Sequence, residues 1–138
     1  MRRLTLLALI CLLAACAPQS HLVTRANGER ALAPCEWAPH CAVSLEEPGG
    51  GGDSVKPIAG GRDAETAYQN LIFALRVAPD ARIVTDDGRY VHAEFRTPLM
   101  RFRDDVEFLI RDDGTIDVRS SGRLGYWDGN TNRRRIED

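Results

Sequence analysis

Lysine is almost missing from this chain: Lys56 is its only one among 18 basic residues. Acidic residues slightly outnumber basic ones, and the formal net charge is −2. A mildly acidic chain lacks the clustered cations that phosphate neutralisation needs, so nucleic acid is not an expected partner. Long apolar runs are absent too. The best, residues 4–13, falls well short of the roughly 20 residues a membrane-spanning helix requires. There is no G-x-S-x-G elbow, H-E-x-x-H pair or P-loop, which removes the commonest hydrolase, metalloprotease and nucleotide-binding templates. Histidine occurs only at His21, His40 and His92, widely spaced. What remains, 43% hydrophobic and 28% charged over 138 residues, is ordinary for one soluble globular domain with a core of its own.

The first residues read as a targeting segment. Arg2 and Arg3 form a positive start and residues 4–13 a short apolar stretch. The segment closes on Leu13-Ala14-Ala15-Cys16, which resembles a bacterial lipobox. That resemblance implies lipidation of the Cys16 thiol, with palmitate-type chains holding the protein on a membrane far more firmly than one chain would. An ordinary secretory signal with an incidental cysteine is the rival reading. Because Ala17 is not Asp, similarity to sorted lipoproteins favours the outer membrane, the domain facing the periplasm. The expected organisation is a signal peptide over 1–15, a tether over 16–34 and a folded domain over 35–138.

Cys35 and Cys41 remain for the exported part. Two thiols this close in an oxidising compartment read as one disulfide, stabilising by roughly 2 kcal/mol. A metal site with His40 is the alternative, but it lacks a nearby fourth ligand. No metal and no cofactor is expected.

Beyond the flexible glycine run at 49–52 the pattern sharpens. Asp63 is a candidate N-cap, and Ala64, Ala67, Tyr68, Leu71, Ile72 and Leu75 recur at the spacing of one helical face before Pro79 stops it. Strands follow. Val91, Ala93 and Phe95 alternate with His92, Glu94 and Arg96, and Val106, Phe108 and Ile110 with Asp105 and Glu107. A three-residue turn at Asp112-Asp113-Gly114 sets Ile110 against Ile116 and Phe108 against Val118, giving one apolar face; a two-residue turn would not. The same reasoning at Asp86-Asp87-Gly88 sets Ile83 against Val91. The expected fold is α+β: an antiparallel sheet of about four strands, hairpins with three-residue turns, one amphipathic helix on the sheet, and a short C-terminal helix.

That register puts Glu107 opposite Arg119 and Asp105 opposite Ser121 on a polar face. Asp104 shares the phase of Phe102, Val106 and Phe108, so it is expected to point inward near Ser120 and Arg123. An inward carboxylate needs a cationic or multi-donor partner. For Asp104 and Arg123, structural and functional readings stand level.

Taken together, Phe102-x-Asp104-Asp105-Val106-Glu107-Phe108, Arg119-Ser120-x-x-Arg123-x-Gly125, Asp128 and Asn132-Arg133-x-Arg135-Ile136-Glu137 resemble the DUF1499 family. Cys35 and Cys41, with Pro39 and Ser44, are similar to its N-terminal cysteine motif. The resemblance covers about residues 35–137 and implies small, often exported bacterial and plastid proteins without an established activity. Here Asn130 stands where the family turn has Gly, with Gly129 before it; Asn tolerates the left-handed region.

The functional expectation is a non-catalytic, envelope-anchored module binding an envelope protein or a small anionic ligand. Its site comprises Asp104, Asp105, Glu107, Arg119, Ser120, Arg123, Asn132 and Arg133, with Arg135 completing a guanidinium set suited to carboxylate or phosphate. The alternative is a hydrolase-like enzyme in which Asp104 or Asp105 is the general base beside an arginine clamp.

Overall fold

The computed structural model describes residues 17–36, 40–44, 53–97, 101–123 and 131–137. The targeting segment with Cys16, the 49–52 glycine run, Pro39, Gly125, Asp128, Gly129 and Asn130 lie outside them. Among the described residues no helix is long and apolar enough to cross a membrane.

A small antiparallel hairpin comes first, β1 (Leu22–Thr24) and β2 (Arg30–Leu32). Then follow β3 (Cys41–Val43), β4 (Asp53–Ser54) and β5 (Ile58–Ala59), helix α1 (Ala64–Val77), β6 (Ala81–Asp86), β7 (Tyr90–Arg96), β8 (Arg103–Ile110), β9 (Thr115–Gly122) and α2 (Thr131–Glu137). Strands β3 to β9 make one seven-stranded sheet in the order β4-β3-β9-β8-β7-β6, with β5 also on β9. The α+β class and mainly antiparallel pairing are as expected, but the sheet is larger than four strands. The additional strands, β3, β4 and β5, are two or three residues long, too short for alternation to announce them.

Helix α1 forms where its apolar face predicts. The Asp63 carboxylate accepts the Thr66 N–H at 2.8 Å, capping the first turn. At the far end Ala78 is extended (ψ 117°), as a residue before proline must be. Leu71, Ile72 and Leu75 are buried against Val91, Ala93, Val106, Phe108, Ile116 and Val118. Each such burial stabilises by about 1.5–3 kcal/mol.

The β8–β9 turn is the expected three-residue loop, pairing Ile110 with Ile116 and Phe108 with Val118. Gly114 takes φ 82°, and a Cβ there would stand 2.2 Å from the Gly61 carbonyl oxygen, so only glycine fits. The β6–β7 turn differs. The chain reverses through Gly88 and Arg89, the Asp87 N–H donating to the Tyr90 carbonyl. Ile83 therefore pairs with Ala93 rather than Val91, and an irregularity between Ile83 and Thr85 absorbs the odd residue. A shorter loop flips the phase and the bulge flips it back, so Ile83 still packs on the core.

The largest correction concerns the expected tether. Residues 17–34 are not a free linker: Leu22 and Leu32 pack on Tyr90 and Leu109 of the sheet face opposite α1. The Arg119 guanidinium donates to the Ala33 carbonyl at 3.1 Å. Polar composition suggested a linker, but the N–H groups of Gln19 and His21 and the Ala33 carbonyl bond to side chains of the sheet.

Candidate functional site

Alternation along β8 divides the predicted site between the two faces of the sheet. Asp104 lies on the α1 face with Val106 and Phe108; Asp105 and Glu107 lie on the other. Pairings follow expectation, Glu107 with Arg119 and Asp105 with Ser121. Their exposure does not. Asp105 is 1% exposed and Glu107 0%, where a solvated polar face was expected.

On the far face the carboxylates are surrounded by donors. Asp105 takes a forked pair of bonds from Arg123, both 2.7 Å, one from His92 Nε2 at 2.7 Å and one from the Gln19 N–H at 3.3 Å. Burial pushes its carboxyl pKa up, but the Arg123 and His92 bonds outweigh burial and hold it at about 2. Glu107 accepts the Tyr90 hydroxyl at 2.6 Å and the His21 N–H at 2.6 Å, with His21 Nδ1 at 2.9 Å. Here too burial raises the carboxyl, and the bonds from His21 and Tyr90 carry it below the usual range. Burial, and then the bond to Glu107, drives the Tyr90 hydroxyl well above the ordinary phenol value. Arg119 sits 3.6 Å from Glu107 and donates to Ser121 at 2.8 Å. Burial lowers its pKa, opposed by the Glu107 and Asp105 charges.

The α1 face holds a second, smaller cluster. Asp104 pairs with Arg135 at 2.8 Å, not with Arg123, whose side chain belongs to the opposite face. Arg135 also reaches Ser120 and Asn132 and lies over the Phe95 ring. The Ser120 hydroxyl bonds the Asn132 side-chain oxygen, and Asn132 Nδ2 donates to the His40 carbonyl at 3.0 Å. These contacts fasten α2 to β9 and β3. Phe102, expected inward, is 43% exposed because β8 begins only after it. Arg133 faces solvent and pairs with Glu137 one turn on.

The predicted arginines therefore do not converge. Arg119 and Arg123 engage the far-face carboxylates, Arg135 the α1-face one, and Arg133 neither. Cys35 and Cys41 form a disulfide beside Val43. Among the described residues no group of histidines, cysteines or carboxylates is placed to hold a metal ion. Sequence reasoning missed His21, Tyr90, His92 and Glu94. The signal for His92 and Glu94 was present, since they share the phase of Asp105 and Glu107 across the β7–β8 pair.

A mainly antiparallel sheet with one helix-covered face and one charged face bonded by the N-terminal segment defines the class. The model of the DUF1499 family, described as a protein of unknown function, matches residues 31–138, and the chain belongs to that family. No curated protein and no solved structure matches the chain.

Proposed function

We propose that the protein is a non-catalytic module, lipid-anchored in the bacterial envelope through Cys16, that binds an anionic ligand or partner. One observation supports this over the hydrolase reading: Asp104, Asp105 and Glu107 are all buried and already bonded to arginine, histidine or tyrosine. A general base needs a carboxylate within reach of substrate and free to take its proton. These three instead hold the N-terminal segment, β9 and α2 together. The anchoring half of the reading comes from the lipobox-like residues alone. Metabolic labelling with palmitate is expected to mark the wild type and to vanish in Cys16→Ser. Persisting label in the variant would remove the anchor from Cys16. A thermal-shift series with inorganic phosphate and citrate tests the anion half, and unchanged melting across both would count against it.

A further inference from the structure

The arginines left with donors to spare are ones the sequence motif did not include. Buried Glu94 is ringed by four guanidiniums: Arg123 at 3.0 Å, Arg96 at 3.4 Å, Arg103 at 3.6 Å and Arg82 at 3.7 Å. Arg123 is 3% exposed and already forks onto Asp105. The other three are 61% (Arg82), 41% (Arg96) and 41% (Arg103) exposed and share the single carboxylate at long range. Each guanidinium carries five N–H donors, so most point elsewhere. Arg82 and Arg96 also line a recess of about 430 Å³ with Arg101, Asp80 and Glu94. The result is an exposed cationic surface around one edge of the β6–β7–β8 sheet.

The course of the N-terminal segment says what this surface faces. Gln19 bonds Asp105 and His21 bonds Glu107, so the segment advances along β8 residue for residue. Extended backwards, position 17 comes level with Arg103, which pairs with Arg96 across β7 and β8. Cys16 lies three residues before Gln19, within about 11 Å along even a fully extended chain. The described chain thus begins toward the arginine end of the far face, and Cys16 is the residue immediately before it in sequence.

We infer that Arg82, Arg96 and Arg103 form a bilayer-facing surface that binds the phosphate groups of anionic lipids. The inference rests on the anchored reading of Cys16. Guanidiniums suit phosphate oxygens in forked geometry, and three of them near an anionic surface strengthen attachment roughly a hundredfold.

The test uses the mature lipidated protein in nanodiscs of phosphatidylcholine, alone or with phosphatidylglycerol. Arginine-selective labelling with phenylglyoxal is read residue by residue by mass spectrometry. Arg82, Arg96 and Arg103 should react several-fold more slowly in the anionic discs, while Arg62, exposed in the loop before α1, reacts equally in both. Equal rates at all four overturn the inference. So does equal protection by inorganic phosphate in neutral discs, which assigns the surface to a free anion. If palmitate labelling shows no anchor, the released protein is sedimented with the same lipids as vesicles. Binding to anionic vesicles that falls roughly a hundredfold in Arg82→Gln/Arg96→Gln/Arg103→Gln then upholds the surface without the anchor. No binding, or binding that the triple variant retains, overturns it.

Discussion

The two faces of the sheet are closed by opposite means. Under α1 the residues are Val91, Ala93, Val106, Phe108, Ile116 and Val118, and the one carboxylate, Asp104, sits at the margin beside Arg135. On the far face, toward the N-terminal segment and the arginines around Glu94, they are His92, Glu94, Asp105, Glu107 and Arg119, nearly as inaccessible as the apolar core. Hydrophobic burial is non-directional and degrades gradually when one side chain shrinks. Buried charge is different: it holds only while each group keeps its partner, and losing one strands the other. The far face should therefore be the more brittle of the two, although it is covered by much less chain.

The widest separation is expected between the adjacent carboxylates of β8. Asp105→Ala leaves Arg123 and His92 buried without their shared acceptor and should cost about 3–5 kcal/mol. Asp104→Ala strands only Arg135, which is partly exposed and can turn to water, so about 1–2 kcal/mol is expected. Strand phase alone argues the reverse order, because it places Asp104 inward and Asp105 outward. Urea midpoints of the two variants decide. A larger loss for Asp104 would return the advantage to the α1 face.

That reversal marks where the sequence was legible and where it was not. Alternation is local, so the cross-strand pairs Glu107 with Arg119 and Asp105 with Ser121 could be read from it, as could the turn at Gly114 and the Asp63-capped helix. What covers each face is not local. Residues 17–34 look like a linker, yet their backbone N–H groups at Gln19 and His21 satisfy carboxylates 86 positions away. Nor does phase reveal that Arg123 turns to the Asp105 face while Arg135, on a helix, takes Asp104. "Polar" was read as "exposed", and on this sheet the complementary charges made polar residues buriable.

Acid should attack the far face first. Asp105, Glu107 and Glu94 all have carboxyl pKa values lowered by folding. For Glu94, burial acts upward and the charges of Arg123, Arg103 and Arg82 prevail. Lowered folded values mean the unfolded chain binds more protons, so this stability is complete above about pH 5 and is lost as pH falls toward 2. Asp105 alone should contribute about 2 kcal/mol of that loss, given its folded value of about 2. Urea midpoints at pH 6 and pH 2 measure it, and Asp105→Asn should flatten the difference. A pH-independent midpoint in the wild type would show that these carboxylates gain nothing from their partners.

A finer cut removes one hydroxyl. Tyr90→Phe keeps the ring packed against Leu32 and Leu109 but takes away the 2.6 Å bond to Glu107. A hydrogen bond to a charged group is worth about 1.5–3 kcal/mol, and the His21 bonds to Glu107 remain, so the low end is expected. The β1–β2 hairpin should also become more open to trypsin at Arg25 and Arg30. Unaltered cleavage there, with unaltered stability, would mean that Glu107 is held without help from Tyr90.

The smallest effect is expected at Arg133, and it separates two arginines on one short helix. Arg135 on α2 reaches across to Asp104, Ser120 and the Phe95 ring, so it ties the helix to the sheet. Arg133 pairs with Glu137 at 2.8 Å, at a position where both side chains are over 40% exposed. Exposed pairs four residues apart on a helix contribute about 0.3–0.5 kcal/mol, much of it screened by salt. Arg133→Ala should therefore shift the urea midpoint barely at all, and that small shift should disappear at high ionic strength. A loss at Arg133 comparable to that of Arg135→Ala would mean that α2 is fastened along its outer face as well, and that the latch at Asp104 is not what holds it.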